Sequence, residues 1–127
     1  EGEPWLDDLL VYIDANHDFA ESYIRSNIPG IRHRKGQGTY LAWLDVATFA
    51  ERIGAAEIAA RESAEGTADV KPERVVQRWF AEHAGVFLNP GPNYGTGGAG
   101  HMRMNLASSR KIVELALNKM ASAVAEA

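Results

Sequence analysis

Residues 89–105 read NPGPNYGTGGAGHMRMN, a glycine-rich stretch that runs directly into an alternation of polar and apolar side chains. Within it, Gly95, Gly97 and Gly100 match the G-x-G-x-x-G pattern of dinucleotide-binding loops. Such a loop needs a helix at its end, because the helix N-terminus receives the pyrophosphate. Here residues 101–106 have the two-residue period of a strand instead. The sequence therefore disfavours a dinucleotide site and predicts a turn that leads into a strand.

The segment after the glycines would separate its polar and apolar side chains completely. A strand turns successive side chains to opposite faces of its sheet. The polar face would carry His101, Arg103 and Asn105, and the apolar face Met102, Met104 and Leu106. We expect the methionine face to pack against helices. The polar face would then meet solvent, another domain or a ligand.

Arg103 lies in the middle of this predicted strand, where its backbone should be rigid. A guanidinium presents its N–H donors in a fixed fork that matches a carboxylate or a phosphate in two parallel hydrogen bonds. A rigid arginine beside a glycine-rich opening therefore favours anion capture. The alternative from the residues alone is a surface arginine in an ion pair, which is common for exposed arginines.

The rest of the chain predicts an α/β protein of the α+β sandwich type. In chain order the patterns give a helix over 4–27, strands over 31–34 and 39–46, helices over 47–64 and 73–83, a strand over 86–88, the strand 101–106 and a final helix capped by Ser108 or Ser109. This order favours a small, mostly antiparallel sheet of about three to four strands with helices packed on it. The length of 127 residues fits a single domain, residues 1–127.

The strand over 39–46 reads TYLAWLDV and is nearly all apolar. A strand of this composition is typical of the centre of a sheet that is covered on both faces. We therefore expect Tyr40 and Trp43 to belong to the core.

Composition argues against several classes of function. The formal net charge is −4, so no basic field invites nucleic acid. There is no cysteine, which excludes disulfides, thiolate metal sites and a cysteine nucleophile. No apolar run approaches the ~20 residues of a membrane span. The four histidines lie far apart without a pair at helical spacing, so no metal site is expected.

Three stretches together resemble a known family. They are PWLDDLLVYIDANHDFAESYI at 4–24, GTYLAWLD at 38–45 and AGVFLNPGPNYGTGGAGHMRMNLASSR at 84–110. In this order they are similar to the C-terminal small domain of fold-type-I pyridoxal-phosphate enzymes. The nearest group is the class I/II aminotransferases, in the branch of the cystathionine β-lyases and related C–S lyases. The resemblance implies the small domain of the aspartate aminotransferase fold, with residues 1–28 as the long helix that connects it to a large domain.

The resemblance also implies a role for individual residues. In that superfamily the arginine that matches Arg103 clamps the α-carboxylate of an amino-acid substrate. Tyr94 matches an aromatic residue that lines the substrate side-chain pocket, and packing is the alternative role. Asn105 either braces Arg103 or simply finishes the strand. The glycines of residues 95–100 would let the backbone turn tightly at the mouth of the site.

No catalytic or cofactor-binding residue is expected in this chain. The resemblance implies pyridoxal 5′-phosphate as the cofactor, bound mainly by the large domain, which also supplies the Schiff-base lysine. The chain's own lysines fall in predicted turns or on exposed helix faces, without the apolar surroundings that favour a neutral, nucleophilic amine. They are Lys35, Lys71, Lys111 and Lys119. The chain alone should therefore be inactive.

The full-length protein that the resemblance implies is an aminotransferase or a C–S β-lyase that acts on amino acids as a cytoplasmic homodimer. Residues 51–70 look longer than the usual connection in that family and predict an insertion. The alternative is a freestanding, non-catalytic α/β domain with a binding or regulatory role. The two hypotheses differ in whether a large domain with a Schiff-base lysine belongs to the same protein.

Overall fold

Within the described residues, four strands form one antiparallel sheet, and helices pack on one of its faces. The computed structural model describes residues 3–35, 41–66, 68–94 and 98–127, except for the side chains of Glu3, Arg34, Lys35 and Tyr94. The helices are α1 (Glu3–Asn27), α2 (Ala47–Arg52), α3 (Ala55–Glu65), α4 (Pro72–Ala84) and α5 (Arg110–Glu126). The strands are β1 (Arg32–Lys35), β2 (Leu41–Asp45), β3 (Asn89–Pro90) and β4 (His101–Asn105). Their order in the sheet is β1-β2-β4-β3, and every neighbouring pair is antiparallel, which confirms the predicted fold class.

The long helix α1 has two unlike halves. Its C-terminal half buries Ile13, Ala20 and Ile24 against the sheet and α5. Its N-terminal half exposes large apolar side chains around the helix, with Trp5 70% and Val11 69% exposed. The exposed set is Trp5, Leu6, Leu9, Leu10, Val11 and Tyr12, which we call the exposed end of α1. A helix that is apolar on all sides is normally buried, so this end has the character of an interface.

The core lies between the sheet and α2, α4 and α5. At its centre Phe49 of α2 is fully buried and contacts two aromatic rings of α4. The ring centroids of Phe49 and Trp79 are 4.9 Å apart in an edge-to-face arrangement, and those of Phe49 and Phe80 are 5.2 Å apart. Aromatic pairs at these separations add to the stabilisation from burial alone.

The helix predicted over 47–64 is interrupted. Gly54 adopts a left-handed conformation (φ 71°) and separates α2 from α3. An L-residue with a Cβ would be strained there, so glycine allows the chain to break and turn at this point. The prediction of one continuous helix was wrong. A single glycine in an alanine-rich stretch does not by itself predict the end of a helix.

The predicted strand 86–88 is also wrong. Gly85 ends α4 in a left-handed conformation (φ 66°), and residues 86–88 belong to no strand. Leu88 is nevertheless fully buried, and Gln77 of α4 donates a hydrogen bond from Nε2 to its carbonyl oxygen (2.9 Å). The apolar character of this segment therefore reflects packing beneath α4. The edge strand is Asn89–Pro90 instead, where the sequence predicts a turn.

Helix α3 packs along α4 through small residues and one ion pair. Ala55 and Ala59 are buried at this contact. Arg78 of α4 binds both carboxylate oxygens of Glu62, at 3.1 and 2.5 Å, and this hydrogen bonding lowers the pKa of Glu62. The pair is largely exposed, so it contributes little to stability. That residues 51–70 are an insertion stays a prediction.

The aromatic centre of the core predicts a large difference between two phenylalanines. Phe49→Ala should lower the free energy of unfolding by about 3–5 kcal/mol, because it removes a fully buried ring and leaves a cavity. Phe87→Ala should change it by no more than about 0.5 kcal/mol, because Phe87 is 80% exposed. Denaturant unfolding of the three proteins checks both values. Equal losses for the two variants would contradict this assignment of the core.

Candidate functional site

The two central strands turn one apolar face to the helices, and β4 turns its polar side chains to the opposite face, as its alternation predicts. The residues buried beneath the helices are Ala42 and Leu44 of β2 with Met102 and Met104 of β4. The opposite face, which we call the open face, carries Leu41, Trp43 and Asp45 of β2 with His101, Arg103 and Asn105 of β4. These six side chains are half-buried or exposed. The predicted division of β4 into a methionine face and a polar face is confirmed.

Arg103 lies at the centre of the open face. Its strand is paired on both sides, so its Cα stands opposite Trp43 of β2 and Asn89 of β3. The Nε atom of Arg103 is buried, although the residue as a whole is half-buried. A guanidinium with a fixed backbone and a buried stem loses little freedom when its fork binds an anion. The placement predicted for Arg103 in the middle of a strand is confirmed, and its binding of an anion stays a prediction.

Trp43 is not a core residue, in contrast to the sequence prediction. It is half-buried on the open face and faces Arg103 across the β2–β4 pair. Its indole also meets the imidazole of His101 edge-to-face, with ring centroids 6.2 Å apart. The strand β2 alternates in burial, but apolar residues on both of its faces hide that period in the sequence. Tyr40, the other predicted core residue, lies outside the described residues.

Asn105 ends the strand that carries Arg103. Its Oδ1 accepts a hydrogen bond from the backbone N–H of Ala107 (2.7 Å), a local turn that is common for asparagine after a strand. The side chain is otherwise exposed. This geometry supports the strand-ending role, and a direct role of Asn105 in substrate binding stays a prediction.

The glycine-rich segment brings two backbone stretches unusually close together. A Cβ on Gly91 would collide with the carbonyl oxygens of Gly98 and His101, and a Cβ on Gly98 would collide with the carbonyl of Gly91. Gly100 has a φ of +76°, a conformation that other residues rarely adopt. Close backbone packing therefore requires glycine at Gly91 and Gly98, and the left-handed backbone conformation favours it at Gly100. This finding agrees with the predicted tight turn.

Two predictions for this segment fall outside the described part. Gly95 and Gly97 are not among the described residues. The backbone of Tyr94 closes a short 3-10 helix that begins at Gly91, but its side chain is not described. The role of Tyr94 in a substrate pocket therefore stays a prediction.

A buried carboxylate anchors the glycine-rich segment to α4. Glu73, in the first turn of α4, is only 7% exposed, and its Oε2 accepts a hydrogen bond from the backbone N–H of Gly100 (2.6 Å). On the other side, the Gly100 carbonyl oxygen accepts from the N–H of Val46 (2.8 Å). The start of β4 is thus fixed from two elements. Sequence reasoning missed Glu73, because an acidic residue in the first turn of a helix is explained by the helix dipole.

The described lysines do not enter the open face. Lys71 forms an exposed ion pair with Asp69 (3.1 Å), and Lys111 and Lys119 are exposed on α5. In the described ranges, no group of three or more His, Asp or Glu residues is placed to hold a metal ion. Among the described helices, none is long and apolar enough to cross a membrane.

Curated relatives share this sequence across nearly its whole length. The chain is 40% identical over 125 residues to a candidate cystathionine beta-lyase of Mycobacterium tuberculosis, in an alignment that covers 98% of the chain and 30% of the relative. It is 30% identical over 124 residues to cystathionine beta-lyase PatB of Bacillus subtilis, covering 98% of the chain and 27% of the relative. No protein-family model matches.

The fold agrees with this result. The chain superposes on a pyridoxal-phosphate-bound candidate aminotransferase of Clostridium difficile with a TM-score of 0.75 and 31% identity, over 98% of the chain and 27% of that structure. The chain is therefore homologous to part of the cystathionine β-lyases and resembles related pyridoxal-phosphate enzymes in fold. It spans 30% or less of the length of these relatives, and its assignment to their small domain stays a prediction.

Two glycines of this chain should differ sharply in their tolerance of alanine. Gly91→Ala should lower the free energy of unfolding by about 3 kcal/mol, because the new Cβ meets backbone carbonyls that cannot move aside independently. Gly85→Ala is the control, since Gly85 has a φ of +66° but an added Cβ would meet nothing within 4 Å. Gly85→Ala should lower the free energy of unfolding by about 1–2 kcal/mol, from the strain of the left-handed conformation alone. Denaturant unfolding checks both, and a smaller loss for Gly91→Ala than for Gly85→Ala would contradict the close backbone crossing.

Proposed function

We propose that Arg103 binds the α-carboxylate of an amino-acid substrate in a pyridoxal-phosphate-dependent lyase or aminotransferase of which this chain is the small domain. The observation that carries the proposal is the placement of Arg103. It stands at the centre of a rigid sheet, on the face that the chain's own helices leave open. A bidentate guanidinium at such a position fixes both the location and the direction of a carboxylate.

The same placement supports an orienting role in the reaction. An amino acid whose carboxylate is held in two hydrogen bonds cannot rotate freely about its Cα. The bond that must break can then be held in the required direction, and positioning of this kind accelerates a reaction strongly. Trp43 and His101, which contact one another beside Arg103, give this part of the open face an aromatic wall.

The cofactor proposed for the full-length enzyme is pyridoxal 5′-phosphate, which supplies an electron sink for the substrate Cα when bound. The relative of known structure from Clostridium difficile contains this cofactor. The described residues of this chain do not fit its covalent attachment, because Lys71, Lys111 and Lys119 are all exposed. We therefore assign cofactor binding to a part of the enzyme outside this chain, and the isolated chain should be inactive.

The proposed reaction is elimination at a C–S bond, with transamination as the second candidate. The two curated relatives described above carry the name cystathionine beta-lyase, and the solved structure carries the name aminotransferase. Both reactions begin with an amino acid whose α-carboxylate must be held, so Arg103 would serve either. The names of the relatives with sequence identities of 40% and 30% favour the lyase.

The exposed end of α1 supports the proposal that the domain works within a larger enzyme. Its large apolar side chains, with Trp5 and Val11 about 70% exposed, have the composition of a buried interface. A large domain of the same enzyme is the partner that we propose for it. The same surface disfavours a freestanding regulatory domain. Assembly into a homodimer and a cytoplasmic location stay predictions.

Replacement of Arg103 should impair catalysis but not folding. In the full-length enzyme, Arg103→Lys should lower kcat/KM for amino acids about a hundredfold, because the charge is kept but the two-pronged geometry is lost. The melting temperature should change little. Arg25→Lys is the control, because Arg25 is 72% exposed and makes only a loose ion pair with Glu21 (3.7 Å). Steady-state kinetics that are the same for Arg103→Lys and Arg25→Lys would exclude the assignment.

A further inference from the structure

A buried amide on α1 holds the end of the strand that carries Arg103. Asn16 is fully buried, and its Nδ2 donates two hydrogen bonds, to the carbonyl oxygen of Leu106 (2.9 Å) and to that of Ser108 (3.0 Å). Its Oδ1 accepts a third from Nε of Arg110 (2.6 Å). Both donors and the acceptor of the amide are therefore used. A fully satisfied buried amide of this kind fixes geometry as well as contributing stability.

Arg110, the first residue of α5, is held by the same face of α1. Its backbone N–H donates to the hydroxyl oxygen of Tyr12 (2.6 Å). Its guanidinium carbon lies 5.1 Å from the ring centroid of Phe19 and 5.9 Å from that of Tyr12. Three successive turns of α1 thus contact the junction between β4 and α5. We call Tyr12, Asn16, Phe19 and Arg110 the α1 clamp.

The α1 clamp lies close to Arg103 along a stiff segment. Leu106 follows β4 directly and is fully buried, so its carbonyl is a fixed point. It is three residues from Arg103, which is roughly 10 Å along a strand. On the other side of the clamp, α1 continues for about two turns into its exposed end. A single rigid helix therefore connects the strand of Arg103 to the surface that we assign to contact with the large domain.

We propose that Asn16 and Arg110 are positioning residues for Arg103. They lock β4 to α1, so that Arg103 keeps a fixed position relative to α1 and to whatever packs on the exposed end of that helix. The proposal rests on the proposed function, since it takes Arg103 to be the carboxylate-binding residue. It makes the α1 clamp part of the substrate-binding apparatus, although none of its residues lies on the open face.

A purely stabilising role for the α1 clamp predicts different behaviour. Loss of stability alone would lower the amount of folded enzyme and affect all substrates alike. Loss of positioning would affect only ligands that use Arg103. Two probes separate these cases. Aminooxyacetate carries a carboxylate and O-methylhydroxylamine does not, and both react at C4′ of the cofactor, where each displaces the lysine amine and forms an oxime. Each probe reacts with the full-length holoenzyme at a measurable second-order rate constant. The ratio of the two rate constants therefore measures how well the enzyme binds the carboxylate, and it does not depend on the fraction of the enzyme that is folded.

The test uses Arg110→Met with Arg52→Met as the matched control. Arg52 also ties a helix to α5, since its Nη2 donates to the carbonyl oxygens of Val124 (3.2 Å) and Ala127 (3.0 Å), but at the end of α5 remote from β4. We expect Arg110→Met to lower the rate ratio of the two probes about tenfold or more, as misplacement of a binding group by a fraction of an ångström would. Arg52→Met should leave the ratio unchanged.

A double-mutant cycle completes the test. In an Arg103→Lys background, Arg110→Met should produce no further change in the ratio, because the group that it positions has already been lost. A change that persists in that background, or equal ratios for Arg110→Met and Arg52→Met, overturns the proposal. If Arg103→Lys itself leaves the ratio unchanged, the proposed function fails and this inference fails with it. If Arg103→Lys lowers the ratio and Arg110→Met does not, only the positioning role fails.

A milder variant decides the matter if Arg110→Met does not fold. Tyr12→Phe deletes the hydroxyl that accepts from the Arg110 N–H and keeps the ring, on a residue that is 41% exposed. We expect it to lower the probe ratio about threefold, in proportion to the loss of one of the hydrogen bonds of the clamp. An unchanged ratio in Tyr12→Phe would overturn the proposal.

Discussion

The pairing of β2 with β4 is the constraint on which the rest of the domain depends. This pair forms the centre of the sheet, and its register sets Trp43 opposite Arg103 on one face and Leu44 opposite Met102 on the other. A slip of one residue would exchange the faces, so that a guanidinium would lie beneath the helices and methionines would meet solvent. One set of backbone hydrogen bonds therefore specifies both the hydrophobic core and the open face that carries Arg103.

The sequence was sufficient to predict the structure where a short pattern of residues determined it. In β4 a polar and an apolar residue follow one another without a break, and this alternation was enough to assign both faces and to select Arg103. The neighbouring strand reads LAWLD, with apolar residues on both faces. Its period is hidden for that reason, and Trp43 was assigned to the core. That Trp43 lies on the open face becomes evident only when the pairing of β2 with β4 is known.

Contacts between distant residues left no signal in the sequence. Glu73 follows a proline at the start of a helix, where a carboxylate has an ordinary explanation, so nothing local marks its bond to Gly100. Asn16 and Arg110 are separated by 94 positions. A polar residue within an amphipathic helix is usually solvated. The buried role of Asn16 is recognised only because both of its N–H groups meet carbonyl oxygens of another element.

The bond between Asn16 and the Leu106 carbonyl also sets the order of events during biosynthesis. It closes a loop of 90 residues, and the helix that contributes Asn16 is made long before the strand end that it holds. Until nearly the whole chain has left the ribosome, α1 cannot acquire this tertiary anchor. The strand that carries Arg103 is consequently among the last parts of the domain to be fixed. A nascent chain that stops before β4 would lack Arg103 and would also leave α1 without its contacts to α5.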